Sequence, residues 1–298
     1  MKVLVTGGTG VVGRQLVADL QRRNVQVRVV TRKAPEPSAQ PSEVEFFAGN
    51  MLDPHSMRDA LNGIDKLFLL NAVTAEELTQ SLIVLGMAKR ADLQHITYLS
   101  VLAAERFPDV PHFAAKLAVE TALRQSGIPY TILRPGFYFQ NDLGLKDVLV
   151  DGGLYPVPIG SKGISGTDIR DIAEVAAITL TSGGCEGQTY DVVSAQPITG
   201  PGNAELWGRL LNREVRYAGH DFDRFEDQMR AHTDAWEAYD IREMFEGFHE
   251  RGFVAPDDEI GRLTTLLNRP PRTYAEFASE TAAQWLTRPS DQRPSFEV

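Results

Sequence analysis

The sequence has little cysteine and no excess of positive charge. Among its 298 residues there is one cysteine, Cys185, which excludes an internal disulfide framework and a thiolate metal cluster. Lysine and arginine together number 30 against 40 acidic residues, so the formal net charge at pH 7 is -10. Because an acidic surface repels phosphate backbones and anionic lipid, we predict that neither nucleic acid nor a membrane is a partner.

Long hydrophobic runs are lacking as well. The apolar stretch SLIVLGMA (81–88) is far shorter than the roughly 20 residues of a membrane-spanning helix. The opening MKVLVTGGTG runs directly into a predicted strand, without the charged and apolar regions of a secretory signal. Histidine–carboxylate pairs such as His249 and Glu250 do not have metal-ligand spacing. We expect a cytoplasmic protein without a metal site, either a monomer or a homodimer, that acts on a small-molecule substrate.

What the sequence does contain is a regular alternation of strands and helices. Short β-branched or apolar runs such as KVLVT, VQVRVVT, KLFLLN and HITYLS predict buried strands, and apolar residues at helical spacing follow them, first at Val12, Leu16 and Leu20. Such alternation implies parallel pairing with right-handed crossovers. The predicted fold class is therefore α/β, a Rossmann-type doubly wound parallel sheet.

The alternation changes after Pro135, which suggests two lobes. We predict a Rossmann domain over residues 1–200 and a smaller, mostly helical C-terminal lobe over residues 201–298 that covers one end of the sheet. The stretch 142–166, rich in glycine and proline, is expected to contribute to the substrate lobe. The tail 288–298 is expected to be poorly ordered.

The loop TGGTGVVG between the first strand and the first helix predicts a dinucleotide site. Gly7 permits a sharp turn, Gly10 lets the backbone approach a pyrophosphate, and Gly13 lets the helix pack closely on the sheet. The free N–H groups of the helix N-terminus then face the phosphates. An ordinary strand-to-helix turn is the alternative. The residues assigned to this loop site are Thr6, Gly7, Thr9, Gly10, Val11, Val12, Gly13 and Arg14.

The end of the second strand favours NADP(H) over NAD(H). A carboxylate there usually accepts hydrogen bonds from a free ribose 2′-hydroxyl, but this strand ends in Thr31, Arg32 and Lys33. A guanidinium can hold a 2′-phosphate through two N–H bonds, and Arg14 is placed to reach the same phosphate. The alternative is that Arg32 and Lys33 only solubilise a loop.

Several longer stretches carry a family resemblance. They are TGGTGVVG, GNMLD, LLN, YLS, HFAAKLAVE, SGIPYTILRPGFYFQN and DIRDIAEVAA. With these stretches the chain resembles the NmrA-like, atypical branch of the short-chain dehydrogenase/reductase superfamily over most of its length. The resemblance implies an NAD(P)-binding Rossmann fold.

The resemblance also implies further contacts with the cofactor. Asp53 would bond the adenine amino group while it caps the following helix, and Ser100 would lie near the nicotinamide. Phe137 and Tyr138 would wall the substrate space. The residues implied at the cofactor are Asn50, Met51, Leu52, Asp53, Asn71, Ala72, Ser100, Lys116, Pro135, Gly136 and Phe137.

The segment HFAAK (112–116) departs from the superfamily's Tyr-x-x-x-Lys motif. It keeps the lysine as Lys116, but His112 stands at the tyrosine position. His112, Lys116, Glu120 and Arg124 lie four apart, so they form a stripe that either faces a groove in a buried helix or is a solvent face with a surface Lys116–Glu120 pair. His112 is either a proton shuttle or a cap or loop residue. The catalytic candidates are Lys116, His112 and Tyr138.

Three functions are consistent with these features. The first is an NADPH-dependent reductase that transfers hydride to a small carbonyl, quinone, enone or imine substrate. The second is a non-catalytic, NADP(H)-sensing regulatory protein of the NmrA type, which the missing tyrosine favours. The third is an isomerase or epimerase with a tightly held cofactor, which no residue singles out.

Overall fold

The computed structural model describes residues 1–33 and 44–287, so the expectation for the tail 288–298 lies outside the described residues. In chain order the strands are β1 (Lys2–Val5), β2 (Gln26–Thr31), β3 (Val44–Ala48), β4 (Lys66–Leu69), β5 (His95–Leu99), β6 (Tyr130–Pro135), β7 (Phe137–Tyr138), β8 (Leu154–Tyr155), β9 (Gly166–Thr167), β10 (Gln188–Val192) and β11 (Arg216–Tyr217). The helices are α1 (Val11–Arg22), α2 (Pro54–Ala60), α3 (Glu77–Arg90), α4 (Pro111–Arg124), α5 (Lys146–Val150), α6 (Ile169–Thr181), α7 (Gly200–Leu211), α8 (Phe222–Arg230), α9 (Ala235–Arg251), α10 (Asp257–Leu267) and α11 (Tyr274–Thr287).

The main sheet has seven parallel strands in the order β10-β6-β5-β4-β1-β2-β3. The chain runs outward from β1 in one direction and then returns to add β4 on the other side of β1. The space between the carboxyl ends of β1 and β4 is therefore the topological switch point, where doubly wound sheets bind ligands. The predicted Rossmann-type fold is confirmed.

Helices cover both faces of this sheet. On one face α1 and α6 share an apolar cluster with β1 and β2, which includes Leu16 and Val175. On the other face α2, α3 and α4 pack with β4 and β5 through Met57, Val84 and Val119. Strand β5 is buried along its whole length, as expected for a central strand covered on both faces.

A third apolar cluster joins the C-terminal segment to the first turn of α4. Phe107 and Phe113 pack edge-on against Phe248 of α9, and Phe253 stacks on Phe248 with ring centroids 4.1 Å apart. Trp207 of α7 is fully buried in the same cluster. The helices of the C-terminal segment therefore cover the sheet where α4 begins.

The C-terminal segment also returns to the core of the sheet. Leu263 and Leu267 of α10 belong to the apolar cluster beneath α1 and α6, and Arg262 lies over the Tyr190 ring of β10. Because α10 packs on the first lobe, the two predicted lobes share part of their core. The division at residue 200 stays a prediction. In the described part of the chain, no helix combines the length and hydropathy needed to cross a membrane.

Candidate functional site

Two glycines shape the turn between β1 and α1. Gly7 has a φ of +64°, a left-handed conformation that favours glycine, and a Cβ there would lie 2.9 Å from the Leu70 side chain. A Cβ on Gly13 would lie 2.1 Å from the Gly7 carbonyl oxygen. Gly13 thus packs against the turn itself, whereas the sequence predicted close packing against the sheet. The Thr6 hydroxyl fixes the turn to the end of β4, since it donates to the Leu70 carbonyl at 2.9 Å and accepts from the Leu70 N–H at 2.8 Å.

The N-terminus of α1 is open. Gly10 is its N-cap residue, and no side chain of the described residues caps the first N–H groups. A Cβ on Gly10 would meet only the Gly7 carbonyl oxygen, at 3.4 Å, and Thr9, Gly10 and Val11 are exposed, whereas Val12 is buried. These unpaired donors and the positive end of the helix fit a diphosphate.

Three cations lie at the same edge of the sheet. Arg14 is exposed on the first turn of α1, and Arg32 and Lys33 are exposed just beyond β2. Across residues 1–33 and 44–287, the side chains of these three residues form no hydrogen bond or ion pair with one another or with any other residue. The Thr31 hydroxyl donates to the Lys33 carbonyl at 3.1 Å, which fixes the backbone at this point.

The ends of β3 and β4 are ordered by local hydrogen bonds. Asp53 caps α2 through the His55 N–H at 2.9 Å, so the predicted cap is confirmed. Asn50 accepts from the Leu52 N–H at 3.0 Å, while Met51 is half-buried and Leu52 and Ala72 are exposed. The buried Asn71 amide bonds Ser81 and Gln80 of α3, which holds the end of β4 against that helix.

Lys116 is buried and pairs with a carboxylate that no motif marks in the sequence. Its Nζ lies 2.5 Å from Oε1 of Glu77 on α3, and the two residues are 7% and 1% exposed. The second oxygen of Glu77 is buried without a hydrogen-bond partner among the described residues. In a sequence, an acidic residue in the first turn of a helix usually indicates only a favourable interaction with the helix dipole. Glu77 also lies 39 positions from Lys116, so no spacing pattern connects the two residues.

The α4 stripe is mostly buried: Lys116 and Glu120 are buried, His112 is half-buried, and only Arg124 at its end is exposed. Of the two alternatives, the solvent face with a surface Lys116–Glu120 pair is therefore wrong. Glu120 is fully buried and bonds Arg134 at 2.7 Å and the Ser100 hydroxyl at 2.6 Å. Burial alone would raise the pKa of Glu120, but the bonds from Arg134 and Ser100 outweigh it, and the pKa lies below its ordinary value. Because α4 packs between the sheet and other helices, its charged positions need buried partners.

His112 forms a second buried pair on the same helix. Its backbone N–H donates to Oδ1 of Asp240 at 2.9 Å, and its ring Nδ1 lies 2.5 Å from Oδ2 of the same carboxylate. Asp240 belongs to α9 and is fully buried, and no sequence pattern links it to His112, which is 128 positions away. His112 is neither a cap nor a loop residue, because it lies in the first turn of α4, whose N-cap is Val110.

The segment from Pro135 to Tyr138 passes close to another strand. A Cβ on Gly136 would lie 2.3 Å from the Ser165 carbonyl, which accepts from the Phe137 N–H at 2.9 Å. Tyr138 is half-buried, and burial, followed by the negative charge of Glu77, raises the pKa of its hydroxyl. Tyr138 therefore keeps its proton at neutral pH and is a weak acid.

The fold brings the predicted site residues to one edge. The carboxyl ends of β1, β4, β5 and β6 carry the glycine turn, Asn71, Ser100 and the Pro135 segment, and α4 begins at that edge with His112 and Lys116. The uncapped glycine turn, the buried ammonium of Lys116 and the histidine held by a carboxylate therefore lie along one edge of the sheet. Within the described residues, no group of three or more His, Cys, Asp or Glu residues is arranged to hold a metal ion.

Comparisons with known proteins agree with this fold. The model of the NmrA-like family matches residues 1–278. Over 290 residues the chain is 30% identical to an NAD(P)H azoreductase from Xenophilus azovorans, covering 94% of this chain and 98% of that protein. It is 28% identical to the prestalk A differentiation protein A of Dictyostelium discoideum, covering 94% and 92%. The crystal structure of an Escherichia coli NADPH-dependent quinone oxidoreductase in complex with NADPH superposes with a TM-score of 0.84 at 24% identity, covering 93% and 99%.

Proposed function

The chain belongs to the NmrA-like family, and we propose that it is an NADPH-dependent reductase that acts on a small, electron-poor molecule. The observation that carries the proposal is the uncapped N-terminus of α1, which shares one edge of the sheet with the exposed cations Arg14, Arg32 and Lys33. The reaction named for the Xenophilus azovorans relative supports the same cofactor and reaction type.

The residues present fit a dinucleotide with an extra phosphate. The N–H groups of α1 would bind the diphosphate, and the forked guanidinium of Arg32 would bind the 2′-phosphate with two hydrogen bonds. Asp53 uses one oxygen as a cap, which leaves the other for the adenine amino group. Residues 1–200 would hold the cofactor, and residues 201–298, with 142–166, would cover the substrate.

Lys116 would act as a fixed positive charge. Bound NADPH would supply the hydride. A lysine serves as a proton donor or base near neutral pH when a neighbouring cation or an apolar site disfavours its charge, but the neighbour here is the Glu77 carboxylate at 2.5 Å. The pair therefore favours an ammonium group, suited to bind the nicotinamide ribose and to stabilise negative charge that develops on the substrate.

The substrate would be a small molecule with a polarised double bond. A carbonyl, quinone, enone or imine accepts a hydride on one atom and a proton on its partner, and so does the N=N bond that the name of the azoreductase relative indicates. Phe137 and Tyr138 would form an aromatic wall beside the nicotinamide, which suits a flat, conjugated acceptor.

An acceptor panel tests this proposal. The purified protein is mixed with NADPH and a quinone, an enone, an imine or an azo dye, and NADPH oxidation is followed by absorbance. We expect turnover with at least one acceptor, and a loss of at least about tenfold in Lys116→Met. Lys89→Met removes an exposed lysine from α3 and is the matched control. No turnover with any acceptor, or unchanged kinetics in Lys116→Met, would contradict the proposal.

A redox sensor is the second candidate. Two observations favour it: His112 replaces the superfamily tyrosine, and one relative carries the name of a differentiation protein and not of an enzyme. A sensor would bind NADPH and NADP⁺ with different affinities. It would not oxidise NADPH, whichever acceptor of the panel is added. Calorimetric titration with both forms, together with the acceptor panel, distinguishes the two functions.

A further inference from the structure

The Asp240–His112 pair has more hydrogen bonds than a helix cap requires. Both carboxylate oxygens are used, one on the backbone N–H of His112 and the other on its ring Nδ1. Asp240 is fully buried, and His112 is the only hydrogen-bond partner of its side chain in the described chain. A buried carboxylate oxygen needs a hydrogen-bond donor, and the group that faces Oδ2 of Asp240 is Nδ1 of His112. Nδ1 therefore carries a hydrogen.

This geometry leaves the other ring nitrogen free. Nε2 of His112 forms no hydrogen bond within residues 1–33 and 44–287, and the His112 side chain is 9% exposed. The ring lies edge-on to Phe113 at 4.7 Å, which restricts its rotation. Lys116 follows one turn later, so the two residues share one face of α4.

The carboxylate itself is held firmly. Helix α9 is fixed to the chain before α4 by Arg251, which bonds Asp109 at 2.8 Å and lies over the Phe107 ring. The aromatic cluster between α4 and α9 fixes the same contact from the apolar side. Asp240 therefore reaches His112 from a rigid element.

We propose that Asp240 is a positioning residue which orients His112, so that Nε2 of His112 donates the proton in the reduction. This inference depends on the proposed reductase function. The acceptor receives a hydride with its electron pair on one atom and the Nε2 proton on the other, so that NADPH leaves as NADP⁺ and the acceptor gains two hydrogens. Solvent then returns a proton to the imidazole. Asp240 holds the ring so that Nε2 carries the proton that is donated. The other charged groups on this face of α4 are Lys116, which pairs with Glu77, and Glu120 and Arg124, which pair with each other.

Two matched variants separate the ring from the carboxylate. His112→Asn keeps an N–H donor for Asp240 and removes Nε2, so we expect kcat to fall by about a hundredfold with the KM for NADPH unchanged. Asp240→Asn keeps an acceptor for the His112 backbone and removes the charge. We expect its kcat to fall by at least about tenfold and the alkaline limb of its pH profile to move to lower pH. Glu246→Gln, which changes a carboxylate at the surface of the same helix, is the control.

A double variant and a spectroscopic readout complete the test. If Asp240 acts through the ring, Asp240→Asn costs no further activity in the His112→Asn background. The ¹⁵N signals of the neutral His112 ring should show the proton on Nδ1 in the parent and its partial transfer to Nε2 in Asp240→Asn. A purely structural role would lower the melting temperature of Asp240→Asn but leave the pH profile and the tautomer of the His112 ring as in the parent.

The outcomes distinguish this inference from the reductase function. If the parent is active, a parental kcat in His112→Asn, or an unshifted pH profile with an unchanged ring tautomer in Asp240→Asn, overturns the positioning role and leaves the reductase function intact. A parent that oxidises no NADPH with any acceptor overturns the reductase function and the proton transfer together. If Asp240→Asn does not fold, the kcat of His112→Asn decides whether Nε2 donates the proton, because this variant preserves the bond to Asp240.

Discussion

The side chains of α4 combine positions that the sequence indicates with partners that it does not. The spacing of HFAAK marks His112 and Lys116, but their carboxylate partners come from other helices. Asp240 lies 128 positions from His112, and Glu77 lies 39 positions from Lys116. A spacing rule sees one element at a time, so it could not decide between a solvent stripe and a buried one. The packing of α3 and α9 against α4 decides it.

The predicted phosphate contact can be tested at Arg32. We expect Arg32→Ala to weaken NADPH binding by at least about tenfold and to leave NADH binding nearly unchanged, because only NADPH carries the 2′-phosphate that the guanidinium would bind. Calorimetric titration with both nucleotides measures this. Arg58→Ala, an exposed arginine of α2 that pairs with Asp59, is the control. Equal losses for the two nucleotides would refute the phosphate contact.

The buried pair between Glu77 and Lys116 can be tested through stability. Glu77→Gln leaves a buried ammonium without its counter-charge, so we expect the free energy of unfolding to fall by roughly 3 kcal/mol. In the double variant with Lys116→Met the uncompensated charge is gone, and most of that loss should be recovered. Urea unfolding of both variants gives the values. A double variant as unstable as Glu77→Gln would show that the pair does not explain the burial of the lysine.

At the scale of elements, the sequence predicts the main sheet but not the small strands. The five inner strands of the sheet carry runs of buried β-branched and apolar residues, and the helices between them carry apolar spacing. The two-residue strands β7 and β9 have no such pattern. They form because the chain at Gly136 passes the Ser165 carbonyl closely enough to exclude a Cβ. Such contacts depend on tertiary packing, which a local pattern does not report.

The glycine turn allows structure and binding to be separated. A Cβ at position 13 would collide with the Gly7 carbonyl, whereas a Cβ at position 10 would only come within 3.4 Å of it. We expect Gly13→Ala to lower the melting temperature without nucleotide. We expect Gly10→Ala to melt like the parent but to bind NADPH on the order of tenfold more weakly, because its methyl group would occupy the phosphate's approach.

Melting curves with and without NADPH measure both effects. If NADPH raised the melting temperature of Gly10→Ala as much as that of the parent, the phosphates would bind at a place other than this turn.

At the scale of the whole molecule, the C-terminal segment is fixed by a buried polar network. Asp142 accepts hydrogen bonds from Tyr155, Trp207 and Tyr274, and Asn203 bonds the Tyr155 hydroxyl at 2.9 Å. Burial raises the pKa of Asp142 to about 6, although these bonds lower it. The network joins α7, α11 and the strand β8, which the sequence could not indicate because its members lie far apart in the chain.

This network predicts how stability depends on pH. The pKa of Asp142 rises from 3.8 to about 6 on folding, so its contribution is fully present below pH 3.8 and is lost as the pH rises through 6. Asp142→Asn does not titrate, so its stability relative to the parent should increase by roughly 2 kcal/mol between pH 4 and pH 7. Burial lowers the pKa of His95 to about 4, but this opposite effect is common to both proteins and cancels.

Urea unfolding of parent and variant across this pH range measures the difference. Two parallel curves would show that Asp142 does not titrate within the native range.

Every proposed role depends on NADPH binding at the carboxyl edge of the sheet, which calorimetric titration of the purified protein with NADPH measures. We expect a saturable signal with one site per chain, weaker by at least about tenfold for NADH and reduced in Gly10→Ala. If the folded protein gives no binding signal with NADPH, this binding site is wrong.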